Sequence, residues 1–278
     1  MHQQWRDLTF VHWRVDPQLV APLMPAGIRP DVYDGATWLG LIPFRMVGAG
    51  VGRGRAAPWL GTFAETNVRL YCIDEQGRRG IVFLSLEASR LAVVLGARLA
   101  FGLPYCWARM RVRATRGQIE YSTRRRWPRP RGAGGRLVVR PGAEQEPGDP
   151  LSDFLTGRWG LYTRWLGRTL YVPVRHEVWQ LHDATVVELD DTLVAAAGCP
   201  CWQGVNRTRS CGRPACTRSS DRRGADTSSG LPGKMGAWVS TCSESVSPSR
   251  RSARVSPTSM GRVGRRCRPR WPGRSVTR

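Results

Sequence analysis

The sequence predicts an α+β domain made mainly of antiparallel β-strands, with two or three short helices. Three observations lead there. Residues 1–197 form a series of short apolar or alternating runs, punctuated by Gly, Pro and Asp, at strand rather than helix length. Only residues 90–101 carry an apolar run long enough for a helix of several turns. All six Tyr and all six Phe fall in this body, which is large enough for a real core.

The elements follow in order. DLTFVHW is a first strand. Asp16 is placed to cap a short helix with Pro17 at its first position, ending near Pro25. Asp34-Gly35 marks a hairpin turn between IRPDVY and ATWLGLIPFRMV. The Gly/Arg-rich residues 48–55 read as a loop, FAETNVRLYCI as a strand, and DEQGRRG as the turn into IVFLSLEA. Ser89 is the expected cap of an amphipathic helix over 90–101, stopped by Gly102 and Pro104. YCWARMRVRA and GQIEYSTR pair as a hairpin, and RLVVR is a further strand. Asp149-Pro150 opens a short helix through Leu155, and LYTRW, TLYVPVRHEVWQL and ATVVEL read as strands. That makes about ten strands.

The chain has 278 residues and a formal net charge of +22, carried by 42 Arg and one Lys, Lys234. A lysine-based mechanism in the body is therefore excluded. Composition breaks near Gly198. Residues 199–278 hold 17 basic and 3 acidic side chains, six of the eight Cys, one Leu and no Ile, Phe or Tyr. Such a segment lacks the apolar surface to offset the entropy of ordering, so residues 198–278 are expected to be disordered. Three accounts compete. Its Arg/Ser/Gly/Pro/Cys/Trp bias is what GC-rich DNA yields in a wrong reading frame, and the break follows a well-formed strand, which favours a frameshifted or mis-annotated end. A basic arm for nucleic acid is the second account. A zinc module from Cys199, Cys201, Cys211 and Cys216 is the third, and its spacing matches no common pattern.

No apolar run reaches the roughly 18–20 residues of a membrane span, and the N-terminus lacks the apolar core of a signal peptide. The expected compartment is the cytoplasm, with reduced thiols and no membrane partner. No GxGxxG, Walker or GxSxG motif calls for a cofactor or a serine nucleophile, and none is expected.

The period of two places Glu65, Asn67, Arg69 and Tyr71 on one strand face, either solvated or lining a pocket. Glu65 is the candidate acid or base, and Arg69 suits a bidentate carboxylate clamp. Arg109, Arg111 and Arg113 share another face, and residues 98–140 carry 12 Arg against one acid, Glu120. That asymmetry offers a nucleic-acid or anionic-surface alternative, weakened by the lack of interleaved aromatics. In HEVWQLH the histidines His176 and His182 are six apart, which rules out HExxH; no metal site is expected, and His176 is kept as a pocket candidate.

The blocks QQWRDLTFVHWRVDPQLVAPLMPAGIRPDVYDGATWLGLIPFRM, FAETNVRLYCIDEQGRRGIVFLSLEA, ARLAFGLPYCWARM and PGDPLSDFLTGRWGLYT with HEVWQLHDA resemble the YqjF-like family of uncharacterised bacterial proteins, over residues 1–197. The resemblance implies a fold related to acetoacetate decarboxylase, a closed β structure around a cavity. That enzyme's Schiff-base lysine follows a Gly-x-Pro; here Gly102-Leu103-Pro104 is followed by Tyr105, so decarboxylase chemistry does not carry over. The cavity does, with Glu65, Arg69 and Tyr105 as implied lining. The expected ligand is a small carboxylate-bearing metabolite; a lysine-independent acid/base enzyme is the other alternative.

Overall fold

The computed structural model describes residues 4–49, 61–174, 176, 178–199 and 235–240, all within one unit, Met1–Ser243. The strands are β1 (Gln4–Arg6), β2 (Leu8–Val15), β3 (Ile28–Pro30), β4 (Thr37–Val47), β5 (Phe63–Asp74), β6 (Arg79–Ala88), β7 (Tyr105–Thr115), β8 (Gln118–Trp127), β9 (Gly134–Glu144), β10 (Gly160–Trp165), β11 (Arg168–Pro173), β12 (His182–Asp191) and β13 (Met235–Ser240). The helices are α1 (Pro17–Val20), α2 (Leu91–Phe101), α3 (Pro150–Thr156) and α4 (Leu193–Ala196).

Strand pairing runs β2–β4–β5–β6 and β7–β8–β9–β12 in antiparallel fashion. β6 joins β7 in parallel at residues 86–88, and α2 is the crossover that a parallel pair requires. β13 lies between β12 and β2 and closes the ring, with two residue pairs to β12 and six to β2. β10 pairs in parallel with the start of β6 and carries β11 on its other edge. The predicted class, mainly antiparallel β with few short helices, is the observed one.

Local chemistry sets most element ends as expected. Asp16 accepts from the Gln18 N–H, and Asp149 from the Ser152 N–H, so each caps its helix over a proline. Gly102 ends α2 at φ 63°.

Four details differ. Ser89 does not cap α2: its Oγ accepts from the Ala64 N–H on β5, and the helix starts after Arg90 without a side-chain cap. The 33–36 turn forms, but only as a single bridge, because β3 pairs with β5 rather than with β4. Strand β11 stops at Pro173, and the HEVWQL stretch is not a strand where it is described. Of residues 198–278, only 198–199 and 235–240 are among the described residues, and 235–240 form β13. Cys199 is disulfide-bonded rather than a free thiol, while Cys72 and Cys106 are free and buried.

One face of the sheet is the interior of the ring. Thr9 on β2 meets the Tyr121 hydroxyl on β8 at 2.7 Å, and Thr66 on β5 meets Thr123 on β8 at 3.3 Å, contacts between strands that are not neighbours. Val11, Leu39, Leu41, Val68, Leu70, Ile119, Leu137 and Val139 fill this interior. It is a packed core, as small barrels have. It also holds an ion pair: Arg125 donates through Nε (3.0 Å) and Nη2 to Glu87, which also accepts from Ser85. Both charged side chains are almost fully buried.

Candidate functional site

The row Glu65, Asn67, Arg69, Tyr71 points away from that interior. Directly opposed residues in an antiparallel ladder share a face. His12, Gly40 and Arg69 oppose one another across β2, β4 and β5, so the row continues onto β2. All four residues are buried, which excludes the solvated face. Their cover is α3 on one side, through Phe154 and Leu155, and Tyr105, Trp179 and Leu181 on the other. The carboxyl and guanidinium groups thus lie between the sheet and its covering layer, not inside the ring as expected.

At one end, Glu65 is 3% exposed and faces Phe44 and Ala88 on the adjoining strands. Tyr105 donates its hydroxyl to Glu65 Oε2 at 3.1 Å. Burial pushes the Glu65 carboxyl up to about 8, against the hydrogen bonds from Tyr105 and Asn67 and with some help from the Glu87 charge. At neutral pH Glu65 is therefore largely protonated, a donor as well as an acceptor. Asn67 Oδ1 is buried without a partner.

At the other end, Arg69 gives Nε and Nη2 to the Tyr71 hydroxyl at 3.0 and 2.8 Å, and Nη2 also to the Leu155 carbonyl at 3.3 Å. His12 Nε2 is 2.5 Å from the same hydroxyl. Burial, then the Arg69 charge, lowers the His12 pKa well below its usual range, and burial raises that of Tyr71. Both are neutral. Arg69 fills the phenol oxygen's acceptor sites, so the phenol proton goes to His12 Nε2. Gly40 makes this approach possible: a Cβ there would lie 3.2 Å from the His12 ring.

Arg69 is 9% exposed and forms no ion pair with an acid among the described residues. The nearby carboxylate, Asp31, is held by Arg158 at 2.6 Å and Arg79 at 3.2 Å. Arg158 flanks the Tyr71 ring at 5.1 Å, as Arg69 does at 5.2 Å. Among the described residues, no carboxylate is thus left to pair with the positive charge of Arg69. Nη1 of Arg69 is the edge that neither Tyr71 nor Leu155 occupies.

The sequence-predicted residues fall into two groups. Glu65, Asn67, Arg69, Tyr71 and Tyr105 come together. His176 stands apart, stacked with Trp159 and Trp179, edge-on to Trp5, and 3.0 Å from the Arg158 carbonyl. Sequence reading missed His12 as a partner of the row. Its signal was parity: His12 shares a strand face with Leu8 and Phe10, and only the strand register reveals what that face meets. Of the Arg-rich residues, Arg109, Arg111 and Arg113 are exposed on β7, whereas Arg125 is buried on Glu87. A separate open cleft of about 240 Å³ is lined by Asp74, Arg78, Tyr162 and Tyr171. Asp74 there is already held by Arg78 and Tyr162.

A family model described as an uncharacterized conserved protein, DUF2071, matches residues 2–214. The "Uncharacterized protein YqjF" of Bacillus subtilis (strain 168) is 32% identical over 200 residues, 71% of this chain and 81% of that protein. Among solved structures, an acetoacetate decarboxylase-like enzyme from Sphingomonas wittichii RW1 is similar at TM-score 0.49 and 14% identity, over 71% of this chain and 82% of the other. The enduracididine biosynthesis enzyme MppR, complexed with pyruvate, is similar at TM-score 0.49 and 14% identity, over 86% and 85%.

Proposed function

The chain belongs to the DUF2071 family of uncharacterised conserved proteins, and from that premise we propose that it binds a small carboxylate-bearing metabolite on Arg69. One observation carries the reading: Arg69 is a buried guanidinium that pairs with no carboxylate among the described residues. Burying a charge unpaired is costly, and a ligand carboxylate is the group that removes the cost. Tyr71 and Leu155 fix the guanidinium plane, leaving Nη1 to donate. Asn67 Oδ1 and the protonated Glu65 supply further polar contacts along about 13 Å of strand.

Calorimetric titration with a panel of small organic acids and their amides tests this. Acids are expected to bind and the matching amides not to. Arg69→Met, close in volume but uncharged, is expected to weaken binding by about 10–100-fold, the loss of a charge-assisted contact of about 1.5–3 kcal/mol. Equal binding of acid and amide, or no loss in the Met variant, would refute the reading.

A second reading adds to the first. With its carboxyl pushed up to about 8, Glu65 exchanges protons near neutral pH, as a general acid or base must. Such chemistry calls for a proton donor and acceptor, not an amine nucleophile. Turnover of a bound acid that follows the ionisation of Glu65 and vanishes in Glu65→Gln would support it.

A further inference from the structure

The outer face of β7 and β8 lies outside the Arg69 site. Arg109, Arg111 and Arg113 alternate along β7 and are exposed. Directly opposed residues share a face. Arg124 therefore joins them from β8, opposite Arg109, with Ser122 opposite Arg111 and Glu120 opposite Arg113. None of these four arginines forms an ion pair among the described residues. Glu120 is held instead by Arg136 on β9 at 3.1 Å, and Arg136 also donates to Glu188 on β12. The acids of this face are thus engaged by Arg136, while β7 and β8 present four guanidinium groups to solvent.

The arrangement of these groups points to their partner. Like charges directly opposite each other in a ladder are destabilising, yet Arg124 stands opposite Arg109. Packing within the chain gives no reason for that pair, whereas a polyanion laid across it does. Alternate residues of a strand lie about 6.6 Å apart, close to the separation of successive phosphates along an extended single strand. A shallow depression of about 90 Å³ between Arg111, Arg113, Glu120 and Ser122 adds a hydroxyl beside two of the guanidinium groups. The aromatics that the linear sequence does not interleave with these arginines are supplied by strand pairing. Trp127 stands opposite Trp107 at the end of the same face. Arg126 lies 5.0 Å over the Trp107 ring and Arg98 5.0 Å over that of Trp127. Trp127 remains 38% exposed, and bases stack on indole and guanidinium planes of this kind.

We propose that the outer face of β7 and β8 binds single-stranded nucleic acid, with phosphates along Arg109, Arg111, Arg113 and Arg124 and a base on Trp127. This is a second function, independent of Arg69. A duplex fits less well, because its base faces are stacked on one another and out of reach of Trp127. An anionic lipid surface fits less well too: it offers neither a regular line of phosphates nor a flat ring to stack.

Fluorescence anisotropy of labelled oligo(dT) and oligo(U) of about ten nucleotides, titrated with the full chain, tests this. Both are expected to bind, with affinity falling as salt rises. The combined Arg109→Gln, Arg111→Gln, Arg113→Gln variant changes exposed positions only and is expected to keep its circular-dichroism melt. It is expected to reduce the slope of log affinity against log salt by about 2, the loss of three phosphate contacts at about 0.7 each. Trp127→Leu is expected to weaken binding about tenfold with the slope unchanged, the loss of one stacked base. A control variant, Arg29→Gln, Arg164→Gln, Arg168→Gln, removes the same charge from exposed positions outside β7 and β8 and is expected to keep nearly the wild-type slope. Equal losses in the two triple variants would assign binding to net charge, that of residues 199–278 included, and would overturn the proposal. It would also be overturned by no binding, by an unchanged slope in the β7 variant, or by wild-type affinity in Trp127→Leu. Tighter binding to a duplex of the same length, or binding to phosphatidylserine vesicles without binding to the single strands, would overturn it as well.

Discussion

Arg125→Met is expected to destabilise the protein by about 3–5 kcal/mol, because it leaves the Glu87 carboxylate alone in the ring interior. For a domain of this size that lowers Tm by roughly 6–20 °C. Burial alone pushes the Glu87 carboxyl up, and the Arg125 charge and hydrogen bonds oppose it. With Arg125 gone, Glu87 takes up a proton, so the penalty is expected to shrink as pH falls from 7 toward 5. The double replacement Glu87→Met with Arg125→Met is expected to recover most of the stability, since two apolar groups of similar volume need no pairing. Denaturant unfolding of the three variants at two pH values measures this. A double variant no more stable than the single one would show that packing, not the unpaired charge, is the source of the loss.

The second large effect is on the pH profile. Glu65 has an ordinary value of 4.5 when unfolded and about 8 when folded. The native state therefore binds the extra proton between these values. The contribution of Glu65 to stability is fully present below about pH 4.5 and is lost as pH rises through about 8. The total change is on the order of a few kcal/mol. His12 acts in the opposite sense: its lowered value means that its contribution is present above about pH 6.5 and lost as pH falls. Asp191, raised by burial to about 6, shares the direction of Glu65. The informative quantity is thus the difference between wild type and Glu65→Gln, which sets an amide of the same shape in the carboxyl's place and cannot ionise. That difference is expected to turn progressively in favour of the Gln variant from pH 5 to pH 8, read by thermal melts. A difference flat with pH would mean that Glu65 is charged at neutrality, and with it the acid/base reading would go.

The family resemblance in the sequence and the alternation in FAETNVRLY were legible without coordinates, because a strand's period of two assigns faces directly. So were the caps at Asp16 and Asp149 and the stop at Gly102, which depend on neighbours a few residues away. Ser89 was misread because two partners competed for one hydroxyl, and the winner, the Ala64 N–H, comes from another strand. Residues 235–240 show the same limit in another form: their place beside β2 follows from strand pairing and not from composition.

Amino-acid order alone fixes local features: strand and helix types, turn positions, the grouping of Glu65, Asn67, Arg69 and Tyr71, and the absence of lysine from the body. Which face is covered, and by what, depends on packing between distant elements. The row lies beneath α3 and Tyr105 rather than inside the ring, Asp31 is held by Arg158 and not by Arg69, and His12 reaches Tyr71 across Gly40. Charge balance and desolvation depend on groups brought together from strands and helices far apart in sequence, and no periodicity along one strand encodes them.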